Sequence, residues 1–167
     1  MSCNYYGTLA LSQALLPHIR KNGRVVNVSS MVGKLNKYSP ELTQRFKDAK
    51  IIPDITQLME EFQEKVEDGT FKDAGWPETA YGASKAGVTG MSHILGRQVA
   101  QGKFQGVKDG VLLNSCCPGY VDTDMSKHRG RKTPDQGAAT PVKLAVGDIG
   151  STSGEFWEHE EVSKWYD

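Results

Sequence analysis

Two short apolar segments, each followed by small or polar residues, restrict what this chain can fold into. Residues 23–30 read Gly-Arg-Val-Val-Asn-Val-Ser-Ser, and residues 111–119 read Val-Leu-Leu-Asn-Ser-Cys-Cys-Pro-Gly. Runs of β-branched and aliphatic residues beside turn residues are typical of buried strands. Between them, residues 81–100 carry apolar side chains three and four positions apart, which is the helical period. The order strand, helix, strand predicts an α/β fold with crossovers in a parallel sheet.

Tyr81 and Lys85 give the clearest chemical signal in the sequence. Because they are four positions apart in a predicted helix, their side chains lie on one face. An ammonium beside a phenol stabilises the phenolate, so Lys85 is expected to lower the pKa of Tyr81 from its usual value of about 10. Such a phenol can exchange a proton near neutral pH, as carbonyl reduction requires. The alternative is a tyrosine that simply packs on a lysine side chain.

The ends of the two predicted strands favour one edge of the sheet as the functional site. Ser29 and Ser30 follow the first strand, and Pro118-Gly119 follows the second. Open parallel sheets bind their ligands beyond the carboxyl ends of their strands. The serines and the Pro-Gly turn are therefore expected at the same cleft, although the Pro-Gly pair could be an ordinary turn.

Four motifs in this order make the sequence resemble the short-chain dehydrogenase/reductase family. They are Asn4 in Asn-Tyr-Tyr-Gly, the Ser29-Ser30 pair, residues 81–85, and Pro118-Gly119 followed by Val121 and Thr123. Within the family the sequence is most similar to the NADPH-dependent carbonyl reductases, over residues 4–157. The resemblance implies a three-layer, Rossmann-like parallel sheet and the reduction of ketones, aldehydes and quinones by hydride transfer from NADPH.

The resemblance also implies the roles of the site residues. Tyr81 would donate the proton and contact the cofactor, and Lys85 would lower its pKa and hydrogen-bond the nicotinamide ribose. Ser30, for which Ser29 is the rival, would hold the substrate carbonyl oxygen. Asn4 would help hold a water that links Lys85 to a proton relay, or could instead cap the helix predicted over residues 5–20.

The loop after the second strand would shape the remaining parts of the cleft. The resemblance assigns the nicotinamide and phosphate side of the cofactor cleft to Pro118, Gly119, Val121 and Thr123. Tyr120 is expected to line an apolar substrate mouth. Trp76 could do the same, but packing is an equal alternative.

The sequence contains no glycine-rich dinucleotide turn. Members of the family begin with a strand and a G-x-G-x-x-G turn that receives the cofactor pyrophosphate, whereas residues 82–87 have two glycines without that pattern. We therefore expect a truncated form with the C-terminal half of the fold, poor NADPH binding and low activity. The strand over residues 24–28 would then have an open edge. An alternative function is a non-catalytic remnant that acts as an interaction protein through this edge.

A charged, helical insertion over residues 39–75 separates Ser30 from Tyr81. Ser39-Pro40 is a typical helix start, and a second helix is predicted over residues 54–67. Carbonyl reductases have the same long connection, and the resemblance implies that it covers a dimerisation face and leaves a monomer. Hydroxysteroid-type dehydrogenases, a third alternative, usually lack it.

Further elements are predicted toward the C-terminus. A helix opens at Thr133 and runs to about residue 145, residues 154–157 form a last short strand, and Trp165-Tyr166 is a tail. Residues 1–167 are expected to form a single partial Rossmann-like domain.

Composition argues against several other classes of protein. Charge is balanced at 20 Lys+Arg and 20 Asp+Glu, so no nucleic-acid partner is expected. No apolar run reaches the roughly 20 residues of a membrane span, so no membrane association is expected. The three cysteines do not form a disulfide or metal-binding pattern, which fits a reducing compartment. The expected location is cytoplasmic, and no metal site is expected.

Overall fold

The sheet of the computed structural model, which describes residues 1–166, has four strands in the order β1-β2-β3-β4. They are β1 (Arg24–Val28), β2 (Leu112–Cys116), β3 (Phe156–Glu158) and β4 (Glu161–Val162). The first three are parallel, with Val26 opposite Asn114 and Cys116 opposite Trp157, while β4 pairs antiparallel with β3. The predicted parallel sheet is confirmed, and the short hairpin strand β4 was not predicted.

Helices cover both faces of this sheet and make three layers. They are α1 (Thr8–Leu15), α2 (Pro40–Asp48), α3 (Ile52–Glu67), α4 (Ala80–Ala100) and α5 (Pro134–Val146). One core includes side chains of α1 to α4, and Val25 of β1 packs against it. The second core lies under α5, and Val26 packs there. Adjacent residues of β1 thus face opposite cores, as strand geometry requires.

The N-terminal helical region differs from the single helix predicted over residues 5–20. A π-helical turn, Ser2–Gly7, precedes α1, and a 3-10 turn, Leu16–His18, follows it. Pro17 has no backbone N–H, so the regular helical hydrogen bonding cannot continue through it. Asn4 lies inside the π-helical turn, so the alternative in which it caps the helix is wrong.

The helix starts of the insertion follow their sequence signals. The Ser39 hydroxyl accepts a hydrogen bond from the Leu42 N–H at 3.2 Å, as a capping serine does. The next helix, α3, begins two residues before its predicted start. The Asp54 carboxylate caps it by accepting hydrogen bonds from the N–H groups of Lys50 and Ile51.

The long helix α4 approaches its neighbours closely at glycines. A Cβ at Gly96 would lie 2.4 Å from the carbonyl oxygen of Leu113 in β2 and 2.4 Å from the N of Gly154. A Cβ at Gly87 would lie 2.6 Å from the sulfur of Met59 in α3. Both the sheet and the insertion therefore pack against α4 at positions without side chains.

Three further features of the fold concern the outer edge of β1, the position of Trp165 and the character of the helices. Among residues 1–166, β1 pairs with β2 alone, and Val28 at its end is 49% exposed. Trp165, predicted to lie in a tail, is instead a core residue with 4% exposure. No helix within residues 1–166 is both long and apolar enough to cross a membrane.

Alkaline pH is expected to destabilise this core through Cys116. Burial raises the pKa of its thiol to about 12. Above its unfolded pKa, the unfolded chain loses a proton that the native state keeps, so the free energy of unfolding falls as pH rises toward 12. The slope should approach about 1.4 kcal/mol per pH unit for this one group.

Urea unfolding between about pH 8 and pH 11 measures this slope. Cys116→Ala should flatten it, whereas Cys3→Ala, at an exposed cysteine, should not. An unchanged slope in Cys116→Ala would contradict the prediction.

Candidate active site

Tyr81 and Ser30 meet at the carboxyl edge of the sheet. The Thr79 hydroxyl caps α4 by accepting a hydrogen bond from the Gly82 N–H at 3.3 Å, which places Tyr81 in the first helical turn. Ser30 lies just after β1, and its side chain faces the Tyr81 phenol closely enough to lower the pKa of the phenol. Tyr81 is 39% exposed, so a small molecule can reach this pair.

Lys85 lies beside the Tyr81 ring, and its amine bonds to backbone rather than to the phenol oxygen. Its Nζ is 5.6 Å from the centroid of the Tyr81 ring and donates a 2.8 Å hydrogen bond to the Val28 carbonyl. Burial lowers the pKa of the Lys85 amine. The amine thus links α4 to the end of β1 and keeps two further N–H donors for a ligand.

The predicted lowering of the Tyr81 pKa by Lys85 is wrong for this structure. Burial raises the pKa of the phenol above its usual value, and the Ser30 side chain only partly offsets that effect. The nearby Cys117 raises it further. Tyr81 therefore keeps its proton at neutral pH and is suited to donate it, since a phenol in this state is a general acid rather than a base.

The two serines after β1 have different environments. The Ser29 hydroxyl donates to the Lys85 carbonyl at 2.9 Å and hydrogen-bonds the Thr89 hydroxyl at 2.7 Å, with 2% exposure. It fastens β1 to α4. Ser30 is half-buried and faces Tyr81, so only Ser30 is placed to meet a substrate.

Asn4 is bonded to α4 within the same helical turns. Its amide donates to the Ser84 hydroxyl at 3.0 Å, and Ser84 donates to the Tyr81 carbonyl at 2.8 Å. Asn4 is thereby held between Tyr81 and Lys85 along the helix. Its role in a water-mediated relay remains a prediction.

The loop from Pro118 to Thr123 is held by Lys132, a residue that was not among the predicted site residues. Lys132 Nζ donates to the Pro118 carbonyl at 3.3 Å, and Val121 forms a β-bridge with Lys132. Gly119 has a φ of +86°, which favours glycine, and a Cβ there would lie 2.9 Å from Lys132 Nζ. The loop thus presents bare backbone beside a cation, a setting suited to an anionic ligand group.

The remaining residues of the loop and the aromatic candidates are also placed. Thr123 caps the short helical turn Asp124–Ser126, and Val121 packs against Gly137 of α5. Tyr120 is 50% exposed beside the loop, where it remains a candidate for the substrate mouth. Trp76 is buried among Tyr38 and other aromatic rings, which is the packing alternative.

The sequence reading missed two groups that shape the site. The Val28 carbonyl, which binds Lys85, is a backbone group that no motif reveals. Cys117 lies near Tyr81 and Lys85, an environment that its place at the end of the second strand did not reveal. It is buried, and its sulfur accepts a hydrogen bond from the Gly119 N–H at 3.2 Å.

Comparisons with known proteins find relatives in the family that the sequence motifs resemble. Residues 71–134 match the family model described as short chain dehydrogenase. The chain is 42% identical to carbonyl reductase (NADPH) 1 of Bos taurus and 41% identical to that of Homo sapiens, in each case over 99% of this chain and 60% of the relative. The solved structure of salutaridine reductase from Papaver somniferum superposes with a TM-score of 0.80 at 26% identity, over 93% of this chain and 52% of that one. The chain thus spans about 60% of the length of these curated relatives.

Proposed function

This chain is a relative of the short-chain dehydrogenase/reductase family and, over 99% of its length, of the carbonyl reductases, and on that premise we propose that it carries the catalytic residues of an NADPH-dependent reductase of ketones, aldehydes and quinones. The observation that carries the proposal is that the Ser30 hydroxyl and the Tyr81 phenol face each other at the open edge of the sheet. A hydroxyl and a protonated phenol that converge on one point can bind the same carbonyl oxygen.

In this proposal each residue acts on that oxygen or on its neighbours. The Ser30 hydroxyl donates a hydrogen bond to the carbonyl oxygen and favours the negative charge that develops there. Tyr81 then transfers its proton to the oxygen. Lys85 lies beside the Tyr81 phenol in the cleft. Asn4 is hydrogen-bonded to Ser84, which lies between Tyr81 and Lys85 on α4. NADPH, when bound, supplies the hydride.

The residues present fit the nicotinamide end of NADPH. Lys85 uses one of its three donors on Val28, which leaves two for ribose hydroxyls. The loop at Pro118, Gly119, Val121 and Thr123 would border the nicotinamide, and Lys132 places a cation beside it. We further propose that this chain alone turns over slowly, because the 167 residues include no glycine-rich turn for the pyrophosphate.

NADPH is expected to raise the melting temperature of the protein progressively with its concentration. Ligand that binds only the folded state adds RT ln(1 + [L]/Kd) to stability. Lys85→Met should weaken the concentration dependence, because it removes the ribose donor. Lys103→Met, at an exposed lysine beyond the end of α4, is the matched control. No shift at high NADPH would contradict the proposal.

A second candidate function is favoured by the outer edge of β1. That edge has no strand beside it among residues 1–166, and exposed Val28 stands at its end. Such an edge can pair with a strand of another chain. An interaction protein of this kind would give no NADPH shift but a concentration-dependent increase in mass, whereas the reductase is predicted to be a monomer because α3 covers α4.

A further inference from the structure

We propose that Trp165 is a positioning residue that holds Ser30 in place against Tyr81 through the turn that follows Ser30. The inference deepens the proposed function and rests on it, because Ser30 is assigned there to the carbonyl oxygen. Trp165 lies more than 130 positions from Ser30 in sequence.

Trp165 holds this turn by two hydrogen bonds of opposite direction. Its indole Nε1 donates to the Gly33 carbonyl at 3.0 Å, and its own carbonyl accepts from the Leu35 N–H at 3.1 Å. The side chain is 4% exposed, so the indole bond is shielded from water. If this bond breaks, the buried donor and acceptor cannot bind water instead, so its loss carries a free-energy cost.

Gly33 is the point at which the turn meets the catalytic helix. A Cβ at Gly33 would lie 2.6 Å from the Ala86 N and 2.7 Å from the Lys85 carbonyl carbon. The turn therefore packs directly on the backbone of α4 at Lys85 and Ala86. The bond from Trp165 fixes Gly33 in this contact from the other side.

The turn transmits this position to Ser30. The Gly33 N–H donates to the Ser30 carbonyl at 3.0 Å, and the Val32 N–H donates to the Ser30 hydroxyl at 3.3 Å. The backbone and the hydroxyl of Ser30 are thus both set by the residues that Trp165 holds. Ser30 in turn faces the Tyr81 phenol and lowers the pKa of that phenol.

A second tie links the same turn to the C-terminal segment. Lys34 pairs with Glu158 at the end of β3, and its amine donates to the Ser163 hydroxyl at 3.1 Å. Ser163 also donates to Glu158 at 2.7 Å. Glu158 and Ser163, at the two sides of the hairpin formed by β3 and β4, therefore bind Lys34, while Trp165 binds Gly33 and Leu35. The C-terminal segment thus fixes the turn that follows Ser30.

If Trp165 only packed in the core, the experiments would give a different outcome from the one expected if it positions Ser30. If Trp165 only filled space, a phenylalanine that keeps its ring contact with Phe46, 5.8 Å between centroids, would leave the site unchanged. If Trp165 positions Ser30, loss of the single N–H donor releases the turn and moves the Ser30 hydroxyl away from Tyr81. Titration of the Tyr81 phenol reports that displacement, because Ser30 lowers the pKa of the phenol. Cys117 is the other ionisable group that acts on this pKa, and the Lys85 amine lies beside the ring.

The test is the titration of Tyr81 by NMR of tyrosine labelled at Cζ, which needs neither cofactor nor turnover. Ser30→Ala should raise the Tyr81 pKa and defines the full effect, and Tyr81→Phe assigns the signal. Trp165→Phe should give at least half of that rise and should speed amide exchange of Gly33 about tenfold or more. Tyr166→Phe, whose ring lies 5.3 Å from Trp165, is the matched control and should change neither.

A folded Trp165→Phe protein with the Tyr81 titration and Gly33 exchange of the parent would overturn the proposal. Should Trp165→Phe not fold, Ser163→Ala decides, since it removes one tie to Lys34 and should raise the Tyr81 pKa in the same direction by a smaller amount. No rise in folded Ser163→Ala would then overturn it. Failure of the proposed reductase function would instead show as absent NADPH binding, which leaves these measurements intact.

Discussion

Phenylalanine in place of Tyr81 is expected to lower kcat/KM for carbonyl reduction by about 10²–10⁴-fold, the usual contribution of a positioned proton donor. The substitution removes only the phenol oxygen, because the ring is held at the start of α4 by the Thr79 cap. NADPH oxidation with a quinone or ketone at high protein concentration measures the effect even where turnover is slow. The melting temperature without cofactor should change little, since Tyr81 is 39% exposed.

The matched control for this experiment is Tyr6→Phe. Tyr6 is a half-buried tyrosine on the N-terminal helical turn and lies outside the site. It should retain the activity of the parent. Equal activity in Tyr81→Phe and the parent would remove Tyr81 from the mechanism, whatever the protein binds.

Alanine at Gly96 is expected to lower the free energy of unfolding by about 3 kcal/mol, at the upper end of overpacking effects. The new Cβ would meet backbone atoms of β2 and of Gly154 at 2.4 Å, and neither can rotate away as a side chain could. Either α4 must move away from the sheet, or Gly154 and the strand β3 that follows it must shift. Urea unfolding followed by tryptophan fluorescence measures the loss.

Gly7→Ala is the matched control for the Gly96 substitution. A Cβ at Gly7 meets only the Ser2 carbonyl oxygen at 3.3 Å, and the residue is exposed. Alanine should therefore be neutral or stabilise the protein by up to about 1 kcal/mol through helix propensity. A loss at Gly96 no larger than the change at Gly7 would show that α4 is free to move.

The features that the sequence predicted well are those encoded locally. The strand Arg24–Val28 has the predicted bounds, because its apolar run and its turn residues adjoin it in sequence. The hydroxyls of Ser39 and Thr133 cap α2 and α5 as expected, since a cap acts on an N–H three residues away. The comparisons confirm the family resemblance that four motifs in order had indicated.

The features that the sequence did not predict depend on contacts between distant segments. Burial raises the Tyr81 pKa, and the Val28 carbonyl binds the Lys85 amine; both effects depend on tertiary packing. The burial of Trp165 depends on residues of the insertion and of the serine turn. A spacing of four residues predicts that two side chains share a face, but not which group each will bind.

The glycines of α4 have a consequence for how this protein folds. Four glycines lie within this one helix: Gly82, Gly87, Gly90 and Gly96. Each makes an isolated helix less favourable than alanine would by about 1 kcal/mol. The segment therefore acquires its helical form together with its neighbours rather than in advance of them. The arrangement of phenol and serine is therefore expected to form only together with these tertiary contacts, so a nascent chain would carry its reactive residues before they are arranged to work.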